Sequence, residues 1–310
     1  MPTESRRPNL FLVGAQKSGT TTLATMLAQH PDVFMCSPKE PGFLAFGEAG
    51  YTARDGYGRL PDASSWVVRS KKAYLDLFRR APAGATSLGE ASTWYLSEPG
   101  CAERLRDFSP GARIVLILRH PAERAYSAWC HARRNTEEPC EDFAAALALE
   151  QARDAPSHLL RYREMGRYAL YLKHYLEVFG HERVLVLFYE DLRDHPEWLW
   201  QQCCDFLNLS DMPAPSAYRQ NASGIPRSRL LHSLMRSESF KRRLKTLLPL
   251  PFLADIKSRL DRVNLRRFPP LHPVLHEQLS REFSRDIAEL QALTGRDLRH
   301  WLPAGERRSG

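Results

Sequence analysis

The sequence predicts an α/β fold of three layers, a central parallel sheet flanked by helices and opened by a P-loop-like turn. Three observations carry this. Three short, wholly apolar runs are separated by amphipathic stretches, as buried parallel strands require. The first run ends in a glycine-bearing turn that leads directly into a helical pattern. The second run ends in an arginine and a proline, again at the mouth of a helix.

Asn9 to Gly14 reads as the first buried strand. Thr20 to Gln29 reads as a helix with Leu23, Met26 and Leu27 on one face, ended by His30-Pro31. Residues 45–70, rich in Gly, Asp, Arg and Tyr without periodicity, read as an irregular excursion. A short helix follows over Lys71 to Arg80, then a short strand over Thr86 to Ala91 and a helix over Cys101 to Phe108. Arg113 to Leu118 is the clearest buried strand, and it leads into a helix from Ala122 to Arg134. Helices over Glu141 to Gln151 and Tyr168 to Phe179 precede a third apolar strand, Arg183 to Tyr189. Trp198 to Leu207 fits a 3.6-residue period. Repeats and convincing linkers are absent, so 1–310 reads as one domain.

The composition, 43% hydrophobic and 26% charged, is that of a globular protein. No apolar run approaches the roughly 20 residues of a membrane span, and the N-terminus carries no signal-peptide pattern; a cytoplasmic location is expected. The six cysteines form no CxxC pair and are expected to be free thiols. Charge is uneven. Residues 227–268 hold 12 Lys/Arg and 3 Asp/Glu, a net of +9, against +8 for the whole chain. One local basic segment argues against nucleic acid and for an anionic ligand, acceptor or membrane surface there.

The segment Gly14-Ala15-Gln16-Lys17-Ser18-Gly19-Thr20-Thr21 has the design of an anion cradle. Backbone amides and the helix dipole face the anion, Lys17 adds a charge, and Ser18, Thr20 and Thr21 add hydroxyls. Gly14 and Gly19 have the spacing of an ATP-binding P-loop, but Thr20 stands where its lysine belongs. Arg119, at the end of the second strand, suits a second phosphate better than a metal.

Ala15 to Leu23 resembles the 5′-phosphosulfate loop of sulfotransferases that use 3′-phosphoadenosine 5′-phosphosulfate (PAPS). Arg119-His120-Pro121-Ala122-Glu123-Arg124-Ala125-Tyr126-Ser127 resembles that family's 3′-phosphate motif. The closest resemblance is to carbohydrate (heparan-type) and bacterial sulfotransferases. It implies PAPS as donor, no metal, and cofactor contacts from Lys17, Ser18, Gly19, Thr20, Thr21, Arg119 and Ser127. Arg227 and Arg229 fall where the family closes a loop over the 3′-phosphate and adenine. Arg124 is expected to face solvent or pair with a carboxylate.

Ser37-Pro38-Lys39-Glu40-Pro41-Gly42-Phe43 resembles the family's K-E-P-x-F-F segment, which implies Glu40 as general base with Lys17 and Lys39 as catalytic cations. Gly89 to Tyr95 departs from the family's E-K-[ST]-P-x-Y, with Ala91 in the lysine position. Glu90 is a second candidate base, Trp94 and Tyr95 are pocket or core residues, and His120 is structural. The implied activity is sulfuryl transfer from PAPS to a hydroxyl of a sugar, lipid-linked or natural-product acceptor. The alternatives are a P-loop kinase or nucleotide hydrolase, and a non-catalytic protein of this fold that binds a polyanion or membrane through 227–268.

Overall fold

The structure, a computed structural model, describes residues 6–61, 65, 67–215 and 268–306, together with the backbone of 225–226 and 265–266. Five strands, β1 (Leu10–Gly14), β2 (Val33–Met35), β3 (Ser87–Ala91), β4 (Arg113–Leu118) and β5 (Val184–Phe188), form one sheet in the order β2-β3-β1-β4-β5. All of its pairings are parallel. The chain winds from β1 out to β2 and back to β3, then crosses to β4 and β5. The order therefore reverses at β1, and the crevice beyond its C-terminal end is where such sheets bind ligands.

Alternation along the strands explains why both faces are covered. Phe11 and Val13 of β1, with Ile114, Leu116 and Leu118 of β4, enter one core. Leu10 and Leu12, with Val115 and Ile117, enter the other. The first core packs beneath α3 (Lys71–Asp76), α4 (Cys101–Phe108), α5 (Pro121–Arg134), α7 (Tyr168–Phe179) and the long α10 (Pro273–Thr294). The second lies beneath α1 (Thr20–Leu27) and α9 (Pro196–Leu207). The short helices α2 (Phe43–Phe46), α6 (Phe143–Ala148) and α8 (Tyr189–Asp194) complete the described set. Among the described residues no helix is long and apolar enough to cross a membrane, and all six cysteines are unpaired.

The three apolar strands and the strand ending at Ala91 stand where the sequence places them. Strand β2 was not anticipated. Its three residues are too few to show a period, and it exists because it pairs with Ser87, Leu88 and Gly89 of β3. Among the described residues of 45–70, α2 ends, a 3-10 turn spans Gly47–Ala49, and Arg54 forms an isolated parallel bridge to Pro156. The helix expected over Glu141 to Gln151 is shorter, starting only after Asp142, whose side chain accepts from Ala145 N and caps α6.

The C-terminal segment is tied back over the sheet. Trp301, 1% exposed, donates from Nε1 to Glu190 Oε1 at 3.0 Å and packs its ring against His120 and Phe188. Its carbonyl lies 3.1 Å from His120 Nε2, while His120 Nδ1 accepts from Ala122 N and caps α5. His120 is thus structural, as expected, and burial, aided by His276, pulls its imidazole down to about 4. Trp301→Ala should remove about 3–5 kcal/mol of stability, read as a lower urea midpoint with an unchanged slope.

Candidate active site

The C-terminal ends of β1, β3 and β4 lie side by side, and each delivers one part of the site. After β1 the chain turns through Lys17 (φ 71) and Gly19 (φ 99) into α1. Gly14 sits so close to Leu96 that an added Cβ would meet Leu96 Cδ2 at 2.8 Å and Cβ at 2.9 Å. The first turn of α1 has neither a side-chain cap nor an acidic residue, so its amides keep their positive end for an anion. Ser18 is fully buried, yet its Oγ finds no hydrogen-bond partner of normal geometry, and neither does Gln16 Oε1. A buried unpaired hydroxyl on an anion cradle fits a phosphosulfate that would complete its bonding.

Lys17 is the centre of the site's electrostatics. Burial, and then the charges of Arg134, Lys39 and Arg119, pull its ammonium down to about 7. Its Nζ lies 3.2 Å from His131 Nδ1, and Arg134 Nη2 lies 2.8 Å from the same nitrogen. Two cationic donors converge on one ring nitrogen, which makes Nδ1 the acceptor. Sequence reasoning missed His131 and Arg134. The signal was present in their spacing: Ser127, His131 and Arg134 recur at i, i+4 and i+7, one face of α5.

Arg119 leaves β4 with its guanidinium 4.8 Å from the Tyr189 ring centroid, beside Gly19. Its Nε and Nη2 both donate to Glu123 Oε2, at 3.0 and 2.9 Å, which holds the fork in place and draws the Glu123 carboxyl down. Ser127, two turns into α5, is half-buried. Arg124 corrects an expectation. It does not face solvent but is fully buried, donating from Nη2 to Tyr162 O at 2.5 Å, because its position on α5 points it under the segment between two 3-10 turns, His158–Leu160 and Glu164–Gly166, rather than outward.

Glu40 lies on the loop between β2 and α2, also with a left-handed backbone (φ 64). Lys39 Nζ is 2.6 Å from its Oε1. Thr93, just past β3, donates its N–H to Oε2 at 3.0 Å, and its hydroxyl lies 3.1 Å from both carboxylate oxygens. Lys39 is close enough for its charge to be felt at Lys17, so it links the loop to the cradle. Glu90 does not share this position. Its side chain is wholly enclosed and engaged by Tyr74 and Ser92. Trp94 and Tyr95 are core residues, 4% and 0% exposed. His174 lies away from the site, paired with Glu103 on the surface. Arg227 and Arg229 lie outside the described residues, as does nearly all of the basic segment 227–268.

A model of the sulfotransferase family matches residues 8–213, a span that contains the cradle, the Glu40 loop, Arg119 and Ser127. The chain belongs to the sulfotransferase family. This sulfotransferase resembles the crystal structure of a sulfotransferase from Alicyclobacillus acidocaldarius, with 31% identity, a TM-score of 0.73, and coverage of 96% of this chain and 99% of that one. It is 28% identical over 232 residues to the bifunctional heparan sulfate N-deacetylase/N-sulfotransferase 1 of Caenorhabditis elegans, covering 74% of this chain and 25% of that protein. The human bifunctional heparan sulfate N-deacetylase/N-sulfotransferase 3 is 28% identical over 210 residues, covering 66% of this chain and 22% of that protein. The chain therefore spans about a quarter of the length of these curated relatives.

The position of Lys17 gives a pH dependence of definite sign. With its ammonium at about 7 in the free protein, Lys17 loses its proton as pH rises through that value. An anion favours the charged form, so binding above pH 7 must take up a proton. Affinity for adenosine 3′,5′-bisphosphate should fall between pH 7 and 9, by up to about tenfold per unit. Calorimetry in buffers of different ionisation enthalpy should show proton uptake that disappears in Lys17→Met.

Proposed function

We propose that this sulfotransferase moves a sulfuryl group from PAPS to a nucleophilic hydroxyl of its acceptor, with Glu40 as general base. The observation that supports this reading best is the placement of Glu40. One carboxylate is fixed by Thr93 and Lys39, and Lys39 also reaches electrostatically to the Lys17 cradle. When bound, PAPS supplies a sulfuryl group carried on a phosphate leaving group. Lys17, the α1 amides and the hydroxyls of Ser18, Thr20 and Thr21 hold the sulfated 5′ end, while Arg119 and Ser127 hold the 3′-phosphate. Arg227 and Arg229 are assigned to the same nucleotide from the family resemblance.

Glu40 takes the acceptor proton onto a carboxylate oxygen as the acceptor attacks. Lys17 and Lys39 offset the negative charge that builds on the bridging and peripheral oxygens, where fixed cations in a desolvated site act most strongly. Both Lys17 and Glu40 adopt left-handed backbones that a side chain ordinarily avoids, a strain typical of groups held for chemistry. A carbohydrate acceptor is supported by the relatives named for heparan sulfate, although Ala91 stands where the carbohydrate enzymes carry a lysine. The net charge of +9 in 227–268 supports an anionic surface, polysaccharide or lipid, as the partner of that segment.

Transfer from radiolabelled PAPS to N-desulfated heparan sulfate, O-desulfated heparan sulfate and a simple phenol tests the reading. Glu40→Gln should lower kcat by about 10²–10⁴ while leaving affinity for adenosine 3′,5′-bisphosphate within threefold. Undiminished turnover by Glu40→Gln would remove Glu40 from the base role.

A further inference from the structure

Directly beneath the Glu40 loop lies a second carboxylate that the chemistry above does not use. Glu90, on β3, is 0% exposed. Its Oε1 accepts from the Tyr74 hydroxyl at 2.8 Å and its Oε2 from Ser92 Oγ at 3.1 Å; the Tyr95 hydroxyl also hydrogen-bonds to it. Two of these three hydroxyls reach further. Ser92 Oγ accepts from Gly42 N at 3.1 Å, and Tyr95 OH accepts from Leu44 N at 3.2 Å. The buried carboxylate is thus connected, through one hydroxyl each, to two backbone amides just beyond Glu40.

That stretch of backbone needs such restraint. Glu40 (φ 64) and Gly42 (φ 64) are both left-handed, and a Cβ on Gly42 would meet the Trp94 ring at 2.9 Å. For a non-glycine residue this region costs on the order of 1–3 kcal/mol and persists only where the surroundings fix it. Three restraints come from the end of β3 and its continuation. The Ala91 carbonyl accepts from Glu40 N, Thr93 binds the Glu40 carboxylate, and the Glu90 network holds the amides that follow. A carboxylate can accept at both oxygens at once, whereas an amide in its place offers one acceptor and one donor. Burial pushes the Glu90 carboxyl up to about 7, while the bonds from Tyr95, Tyr74 and Ser92 pull the other way.

We propose that Glu90 is a positioning residue for sulfuryl transfer, acting through the Ser92 and Tyr95 hydroxyls to clamp the Gly42 and Leu44 amides and so fix the orientation of Glu40. The proposal rests on Glu40 as the base. Tyr74 provides an internal control. Its hydroxyl makes the same kind of bond to Glu90 but bonds to neither loop amide, and the stacking of its ring on Phe43, 5.0 Å between centroids, is kept in Tyr74→Phe.

Amide exchange, resolved residue by residue in the full chain, tests the clamp without any substrate. Ser92→Ala should raise exchange at Gly42 at least tenfold, Tyr95→Phe should do so at Leu44, and Glu90→Gln at both. In Tyr74→Phe both amides should stay within twofold of the parent, and β4 should stay protected in all four variants. Turnover is followed as release of adenosine 3′,5′-bisphosphate from PAPS with O-desulfated heparan sulfate present, which counts transfer to the acceptor or to water. Glu90→Gln should lower kcat at least tenfold with the KM for PAPS within twofold. Unchanged exchange at Gly42 and Leu44, equal loosening by Tyr74→Phe, or exchange raised uniformly across the sheet would overturn the clamp. An unchanged kcat with a loosened loop would overturn its role in transfer. Full turnover by Glu40→Gln, in contrast, would strike the base assignment and leave the exchange pattern standing.

Discussion

Burial first, and then the approach of like charges, act on one ammonium at the centre of this sulfotransferase's site, that of Lys17. Lys17, Lys39, Arg119 and Arg134 are brought close enough that the Lys17 ammonium is depressed to about 7, with burial as the leading cause. Their convergence disfavours the protonated form of Lys17, and an anion bound there would favour it. The buried Ser18 hydroxyl beside them could accept or donate a bond to an anion's oxygen.

The sheet is what makes this convergence possible. Because strand order reverses at β1, the loops after β1, β3 and β4 leave the same edge as neighbours, carrying Lys17, Thr93 and Arg119. Glu40 comes from a fourth direction, the connection after β2, and is tied to the end of β3 by its own amide and by Thr93. Lys17, Arg119 and Glu40 are therefore each mounted just beyond, or bonded to, the end of a buried strand. The two cores set the rigidity of that mounting, and α5 contributes a second row of polar groups, with His131 and Arg134 one and two turns beyond Ser127.

Restraint around Glu40 is layered. The carboxylate is held directly by Thr93 and Lys39, and the backbone beyond it is held by Ser92 and Tyr95, both of which are bonded to Glu90. A segment in which Glu40 and Gly42 both have positive φ would relax if these bonds were lost. The same residues explain the departure from the family pattern at 89–95. With Ala91 in place of a lysine, this stretch holds the neighbouring loop through Ser92, Thr93 and Tyr95, and Lys39 is the cation paired with Glu40.

The sequence by itself determined the sheet's main strands and the glycine-bearing turn at Gly14 to Thr21, and it marked Arg119, Ser127 and the Lys39-Glu40 dipeptide as candidates. Each of these is a local signal, an apolar run or a motif within nine residues, and local signals survive without knowledge of what lies across the molecule. Tertiary structure alone decided the rest. Strand β2 is too short to show a period and exists through its pairing with β3. Arg124 reads as a surface residue until α5 is seen to turn it under Tyr162. His131 reaches Lys17 across 114 positions, and Glu90 governs amides 48 and 46 residues away through two hydroxyls. Such contacts depend on which strand ends become neighbours, and that is fixed by sheet order rather than by any stretch of sequence.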